Sequence, residues 1–316
     1  MQVNLKQAIA QLKVGEVVAI PTETVYGLAA DATNESALRQ IYAIKQRPAD
    51  NPLIVHIGDV AQVPDWAAEF SALAQKLASA FWPGPFTLVL AAKENVSAIV
   101  RANEPTVALR VPAHALALQL LKQSGLALAA PSANKYTQLS PTTAAHVQAG
   151  LGDDIAVLDG GACQVGIEST IVSVAGDDWQ LLRHGMITEA QVTAIAGKPA
   201  LVGAVSVPKA PGQHMLHYSP KTPLKLFDSY AALVEYQQSS IDACAALIID
   251  DAVPSGMGGF SCIHLPQQAA CVAEHLYEAL HRLDALNVAQ LLVLKPPNAP
   301  EWLAISDRLN RAAQDN

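Results

Sequence analysis

The chain is poor in charge, aromatics and cysteine, and it has no long apolar run. No hydrophobic stretch approaches the roughly 20 residues that a membrane-spanning helix needs. The N-terminus joins no basic segment to an apolar core and a small-residue cleavage site. A soluble, cytoplasmic protein is therefore expected. The four cysteines, Cys163, Cys244, Cys262 and Cys271, form no C-x-x-C pair and share no ligand spacing with histidine. That favours free thiols in a reducing compartment over a zinc site. The G-x-x-x-x-G-K-[ST], G-x-S-x-G, H-E-x-x-H and G-x-G-x-x-G patterns are missing too, so a nucleotide would not be held by a Walker loop. Gly256–Gly259 (GMGG) lacks dinucleotide-loop spacing. Ser132–Lys135 matches S-x-x-K without its S-D-N and K-T-G companions, and two fixed residues arise easily by chance.

What is present describes a folded protein. Hydrophobic residues make up 51% of the 316 and charged residues only 15%, enough to bury sizeable cores, and the length favours two domains. The net charge of −8 argues against a broad nucleic-acid surface. It is unevenly spread. Up to Lys221 there are 15 Lys and Arg against 17 Asp and Glu, and from Thr222 onward 5 against 11. A modest RNA contact on the first part is permitted, not required.

Periodicity gives an alternating α/β pattern. Leu5, Ile9 and Leu12 mark a first helix, with Asn4 as its cap and Gly15 as its stop. Strands are expected at Val17–Ile20, Leu53–Ile57, Phe86–Leu90, Thr106–Val111, Ala127–Ala130, Ile155–Leu158, Ser169–Val174 and Gln180–Arg183. Further helices are expected from Asp65 to Phe81, at Ala113–Lys122 and around Thr188–Ala196. Residues 197–223 carry Gly, Pro and Lys without periodicity and read as a linker. The tail restarts with strands at Leu224–Phe227, Ala245–Ile249, Cys262–Leu265 and Gln290–Leu294, and helices near Ala269–Leu283 and Glu301–Ala313. The order is not a simple β-α-β throughout, so parallel and antiparallel pairs should mix in the first sheet.

The organising stretch runs from Pro21 to Ile57. A strand leads into a turn rich in hydroxyls (Thr22, Glu23, Thr24, Tyr26). A helix capped by Ser36 then carries Leu38, Ile41 and Ile44 on one face and ends at Lys45, Arg47 and Pro48. Two cations and Asn51 beside such a turn point to an anionic ligand, a phosphate above all. A solvated helix terminus, its cations favoured by the macrodipole, explains them equally well. On their own, His56 in an apolar strand reads as a core histidine, Arg110 as half of an ion pair with Glu104 or a distant acid, and Ser169 as a strand residue. Thr24 reads as a turn hydroxyl. His214, His217 and Tyr218 form a cluster in the linker with a weak claim to a metal.

Taken in order, PTETVYGL, K-x-RP, NPLIVHI, WPGP, APSAN and GIESTI closely resemble the Sua5/YrdC/YciO family. The later APGQHMLHYSP resembles the linker of its longer Sua5 branch, with Gln213 after Pro-Gly where the family often has methionine. Members are threonylcarbamoyl-AMP synthases, which make the intermediate for the t6A modification of tRNA. The resemblance is dense over residues 5–223 and weak beyond. It implies an α/β protein: a YrdC-like mixed twisted-sheet domain over residues 1–200, a linker over the active site (201–223) and a small Rossmann-like domain (224–316). It also implies ATP with Mg²⁺, L-threonine and bicarbonate as ligands. A tRNA-modifying threonylcarbamoyl-transferase complex would be the downstream partner, and no membrane is involved. Lys45 and Arg47 would neutralise the phosphates. Arg47, Asn51, Thr106, Ser132, Ser140, Arg183 and Tyr218 fall on nucleotide-contacting positions, and Thr24, His56, Arg110, Ala130 and Ser169 on threonine-contacting ones. No residue is nominated as a metal ligand or general base. The rival readings are adenylation of a different carbamoyl-type acid, and a non-catalytic module binding double-stranded RNA or nucleotide.

Overall fold

A computed structural model describes residues 1–199, 218–251 and 261–313. Most of the expected linker, with Gln213, His214 and His217, and the Gly256–Gly259 stretch lie outside the described residues.

The first strands and helices follow the apolar periodicity. They are β1 (Gln2–Val3), α1 (Leu5–Lys13), β2 (Val18–Ile20), β3 (Gly27–Asp31), α2 (Glu35–Lys45) and β4 (Ile54–His56). Next come α3 (Val63–Trp66), α4 (Ala72–Phe81), β5 (Phe86–Ala91), β6 (Thr106–Arg110), α5 (Ala115–Ser124) and β7 (Leu128–Ala129). The first unit closes with α6 (Ala144–Leu151), β8 (Ala156–Leu158), β9 (Thr170–Ala175), β10 (Asp178–Arg183) and α7 (Glu189–Ala196). Its strands form one ten-stranded sheet in the order β1-β8-β2-β3-β7-β4-β6-β5-β9-β10. Pairing is mixed as expected: β4 lies parallel to β6 and β5 to β9, whereas β2–β3, β3–β7 and β5–β6 are antiparallel.

Three local expectations are corrected. Gly27–Asp31 is a strand, although its sequence GLAAD holds no β-branched residue; pairing with both β2 and β7 overrides weak propensity. Helix α2 is capped by Asn34, whose Oδ1 accepts from the Ala37 amide at 3.2 Å, and Ser36 lies inside the first turn. The single helix expected from Asp65 to Phe81 is two, because Ser71 caps a fresh start.

The tail holds β11 (Leu224–Phe227), α8 (Tyr230–Ser239), β12 (Cys244–Ile249), β13 (Ser261–Leu265), α9 (Ala269–Asp284), β14 (Gln290–Leu294) and α10 (Leu303–Ala312). Helix α8 is additional to the sequence reading. The four strands run parallel in the order β11-β14-β12-β13, a small Rossmann-like sheet. The first sheet packs on its own apolar core, and the main apolar cluster of the tail also takes in Val25, Leu139 and Ile167 of the first unit. Among the described residues no helix is long and apolar enough to cross a membrane.

Candidate active site

The sheet order brings distant words of the sequence to one cavity. Strands β4 and β6 pair in parallel with His56 opposite Arg110, so both side chains stand at the same end of neighbouring strands. The turn before β3 brings Thr22 and Thr24, and the exit of β7 brings Ala130, Pro131 and Ser132. The entry to β9 adds Glu168 and Ser169, and the end of β10 adds Arg183. These residues, with Val25, Gly27, Arg47, Ile54 and Tyr218, line a cavity of about 50 Å³. Backbones crowd here: a Cβ on Gly27 would stand 3.1 Å from the Ala130 methyl.

Nine expected residues therefore share one pocket: Thr24, Arg47, His56, Arg110, Ala130, Ser132, Ser169, Arg183 and Tyr218. Four stand outside its lining. Lys45 is behind the wall, 1% exposed, with its Nζ 2.5 Å from the carbonyls of both Ser132 and Asn134. It fixes the APSAN loop rather than reaching into the cavity. Burial, with the Arg47 charge beside it, lowers its ammonium well below the usual lysine range. Ser140 is buried and donates to Glu168 Oε1 at 2.6 Å. Among the described residues the Asn51 side chain hydrogen-bonds its neighbour Asp50, and Thr106 sits at the opposite end of β6 from Arg110.

One end of the cavity is built around Arg110, which is 3% exposed. Its Nε donates to Gly84 O at 3.1 Å, its Nη1 to Thr24 Oγ1 at 2.9 Å and its Nη2 to Glu23 Oε1 at 2.6 Å. A guanidinium has five N–H donors, so one remains on each of Nη1 and Nη2. Such donors suit the oxygens of a carboxylate. The ion-pair partner is Glu23, where the sequence reading named Glu104 or a distant acid. Burial would raise the Glu23 carboxyl, but the Arg110 charge and hydrogen bond outweigh it and hold it below its ordinary value. Burial, followed by the Arg110 charge, pushes His56 down to about 3, so its imidazole is neutral at pH 7. Ser169 shares a 2.8 Å hydrogen bond with Thr87.

The other end is cationic. Arg47 is buried, gives Nη2 to Pro52 O at 3.2 Å, and among the described residues keeps Nε without a partner. A buried guanidinium facing a cavity with no carboxylate against it is costly unless an anion meets it. Arg183 is aimed by Ser169, donating to its carbonyl at 3.0 Å and its Oγ at 3.1 Å. Tyr218 is 2% exposed and roofs the cavity.

Two groups of residues escaped the sequence reading. Glu23 and Glu168 lie inside quoted motifs, and an acid within an otherwise apolar word was the available signal. Tyr277 and Arg308 in the tail both reach Glu168, across 109 and 140 residues of chain, and carry no local signal.

Residues 10–185 match a family profile, Sua5/YciO/YrdC, described as telomere recombination. Residues 185–314 match one described as threonylcarbamoyl-AMP synthase, C-terminal domain. A threonylcarbamoyl-AMP synthase of Bacillus subtilis (strain 168) is 40% identical over 321 residues, covering 98% of this chain and 93% of its own. That of Pyrococcus abyssi (strain GE5 / Orsay) is 34% identical over 332 residues, covering 98% and 97%. The crystal structure of P. abyssi Sua5 complexed with L-threonine superposes with a TM-score of 0.89 at 31% identity, covering 99% of this chain and 97% of that one.

Proposed function

The chain belongs to the Sua5/YrdC/YciO family, and from that membership and the pocket we infer that it is a threonylcarbamoyl-AMP synthase. The observation that carries this reading is the two-ended pocket. A buried arginine with one N–H on each Nη left over among the described residues stands at one end, and two further buried arginines stand at the other. An amino acid fits the first end. Its α-carboxylate would take the remaining Nη donors of Arg110, while Thr24, Ser169 and neutral His56 read the threonine hydroxyl. A site that hydrogen-bonds a hydroxyl discriminates against ligands lacking it, because its buried polar groups are then left unpaired. Ala130 leaves room for the methyl.

The second end suits a triphosphate. Arg47 and Arg183 would neutralise phosphate oxygens, with Ser132 donating a neutral hydrogen bond and Lys45 holding the Ser132 loop in place. The threonine nitrogen adds to bicarbonate-derived CO₂ and loses a proton, giving N-carboxy-threonine. A carbamate oxygen then attacks the α-phosphorus of ATP. The bond from that phosphorus to the β-bridging oxygen breaks, and pyrophosphate leaves with the electron pair. The chain's part is alignment and charge neutralisation. Glu23 and Glu168 are each committed to an arginine, and among the described residues no three metal-binding side chains cluster. Such a donor set fits Mg²⁺ arriving on the phosphates with its own waters, where it would neutralise part of their charge.

Residues 1–200 serve as the catalytic unit, 201–223 as a linker that carries Tyr218 over the pocket, and 224–316 as a second unit. Tyr218 is buried in the lining of this pocket, so the nucleotide enters when this roof lifts. Truncation after Lys209 should then change ATP affinity and turnover; no change in either would remove the roof's role. Four free thiols suit the reducing cytoplasm. The product is a mixed anhydride that a tRNA-modifying transferase would consume. The direct test is pyrophosphate release from Mg·ATP with L-threonine and bicarbonate omitted in turn. Release that needs both supports the assignment, and release that needs neither overturns it.

A further inference from the structure

We propose that Thr87 of β5 is a specificity-determining positioning residue, which turns the Ser169 hydroxyl into a donor committed to the hydroxyl of the substrate. The inference rests on the L-threonine assignment above and adds the residue that sets how the substrate side chain is read.

Thr87 is fully buried (0% exposed), and so are its strand neighbours Phe86 and Leu88. Valine has nearly the same shape, suits a strand and brings no hydroxyl to desolvate. Packing alone therefore does not call for threonine here. Its Oγ1 lies 2.8 Å from Ser169 Oγ, and that is the hydroxyl's one hydrogen bond among the described residues.

The direction of this bond follows from counting hydrogens. A hydroxyl has one hydrogen and two lone pairs. If Ser169 were the donor, the Thr87 hydrogen would be buried without an acceptor, which is unfavourable. Thr87 therefore donates. Arg183 Nη2 donates to the same Ser169 oxygen at 3.1 Å. Both lone pairs of Ser169 are then taken, and its hydrogen is what it has left to offer. Among the described residues no acceptor meets that hydrogen, and Ser169 lines the cavity.

The backbone around Ser169 is fixed independently. The Thr170 amide donates to Pro85 O at 3.0 Å, and the Thr170 hydroxyl to Ile187 O at 2.7 Å. A Cβ on Gly185 would stand 2.3 Å from Thr170 N, so the chain leaving β10 is packed on this strand entry. What remains to be set is the rotation of the Ser169 hydroxyl, and Thr87 sets it.

The same count gives the opposite result at Thr24. Thr22 Oγ1 donates to Val25 O at 2.7 Å, so the hydrogen in its 2.8 Å contact with Thr24 Oγ1 belongs to Thr24. The Thr24 oxygen also accepts from Arg110 Nη1 at 2.9 Å, which leaves one lone pair and no hydrogen. The cavity is thus lined by a donor, Ser169, and an acceptor, Thr24. A substrate hydroxyl both accepts and donates, and so can satisfy the two; a ligand without it leaves them unpaired.

The experiment compares L-threonine with L-2-aminobutyrate, which is threonine without its hydroxyl. Calorimetry on the full chain reads the Kd of each, and wild type should favour L-threonine by at least about tenfold. Thr87→Val should raise the L-threonine Kd about fivefold and the L-2-aminobutyrate Kd less than about twofold, with the KM for ATP unchanged. Thr87→Ser keeps the donor and should bind both ligands as wild type does. In a Ser169→Ala background, Thr87→Val should have no further effect on L-threonine, because it acts through that hydroxyl. Equal weakening of both ligands, no weakening of either, or an undiminished effect in the Ser169→Ala background would overturn the proposal. So would a wild type that binds L-threonine no more tightly than L-2-aminobutyrate. Wild-type chain with no threonine-dependent pyrophosphate release would instead overturn the functional reading on which it rests.

Discussion

The two units of this molecule bury their polar groups very differently. The first places Glu23, Lys45, Arg47, His56, Arg110, Glu168 and Arg183 out of solvent, all in or directly behind the wall of one cavity. The tail, among the described residues, buries Thr222 and Arg308, and the arginine reaches across to the first unit's Glu168. Burying charge is unfavourable unless partners or a ligand compensate it. A concentration of it in one unit therefore marks where a charged ligand is met. Its near absence from the other marks a body held together by apolar packing between a parallel sheet and its helices. The tail also carries most of the net negative charge, yet the buried charge it contributes to the pocket wall is positive.

This contrast can be broken experimentally. The largest effect should come from Arg110→Ala, which strands the buried Glu23 carboxylate and removes the carboxylate clamp. Loss of one partner of a buried pair costs about 3–5 kcal/mol of stability. Threonine-dependent kcat/KM should also fall by at least about 100-fold, the equivalent of roughly 2.7 kcal/mol. Urea unfolding and pyrophosphate release read the two effects separately; a variant that keeps its turnover would put the carboxylate site elsewhere.

Lys45→Met should have a smaller effect, since it leaves the buried carbonyls of Ser132 and Asn134 without their shared donor. A cost of about 1–3 kcal/mol is expected. ATP affinity should weaken more than threonine affinity, because the loop that loosens carries Ser132. Equal weakening of both would mean that Lys45 supports the whole sheet end.

The smallest effect is a pH dependence. His56 and His281 are held neutral by burial, at about 3 and about 4, with the charges of Arg110 and of the stacked His146 respectively adding to the effect. In the unfolded chain both would titrate near 6.5. Their folded values are depressed, so the unfolded state binds more protons as the pH falls below 6.5, and stability is lost in that direction. Glu23 and Glu168, also depressed, extend the loss below about 4.5. His281→Gln keeps a donor for the Ser140 carbonyl but removes one titrating group. Between pH 6.5 and 4 its stability should fall less steeply than wild type, by up to about 1.4 kcal/mol per pH unit. An unaltered slope would show that His281 is already protonated in the fold.

Much of this was legible in the sequence because the pocket is made from contiguous words. PTETVYGL supplies Thr24 and Glu23, APSAN supplies Ala130 and Ser132, and GIESTI supplies Glu168 and Ser169. Each word ends or begins a strand, and the sheet order brings those ends together. What periodicity could not reach has identifiable causes. Strand β3 was hidden because GLAAD has small residues where β-branched ones would signal a strand. The cap of α2 lies two residues before the one expected because Asn34 and Ser36 are both good caps, and local geometry selects Asn34. Lys45 looked like a phosphate ligand because it stands beside Arg47, but α2 turns its side chain toward the APSAN loop. Arg308 was invisible because its partner lies 140 residues away in the other unit.

The central claim is that one pocket joins threonine, a carbon from bicarbonate and the adenylyl group of ATP. Incubating the full chain with Mg·ATP, L-threonine and ¹³C-bicarbonate, followed by rapid quenching and mass spectrometry, tests it most directly. The account predicts an adenylate that contains threonine and one ¹³C, formed in step with pyrophosphate. An adenylate without the label, or ATP cleaved with neither threonine nor label attached to AMP, would contradict it.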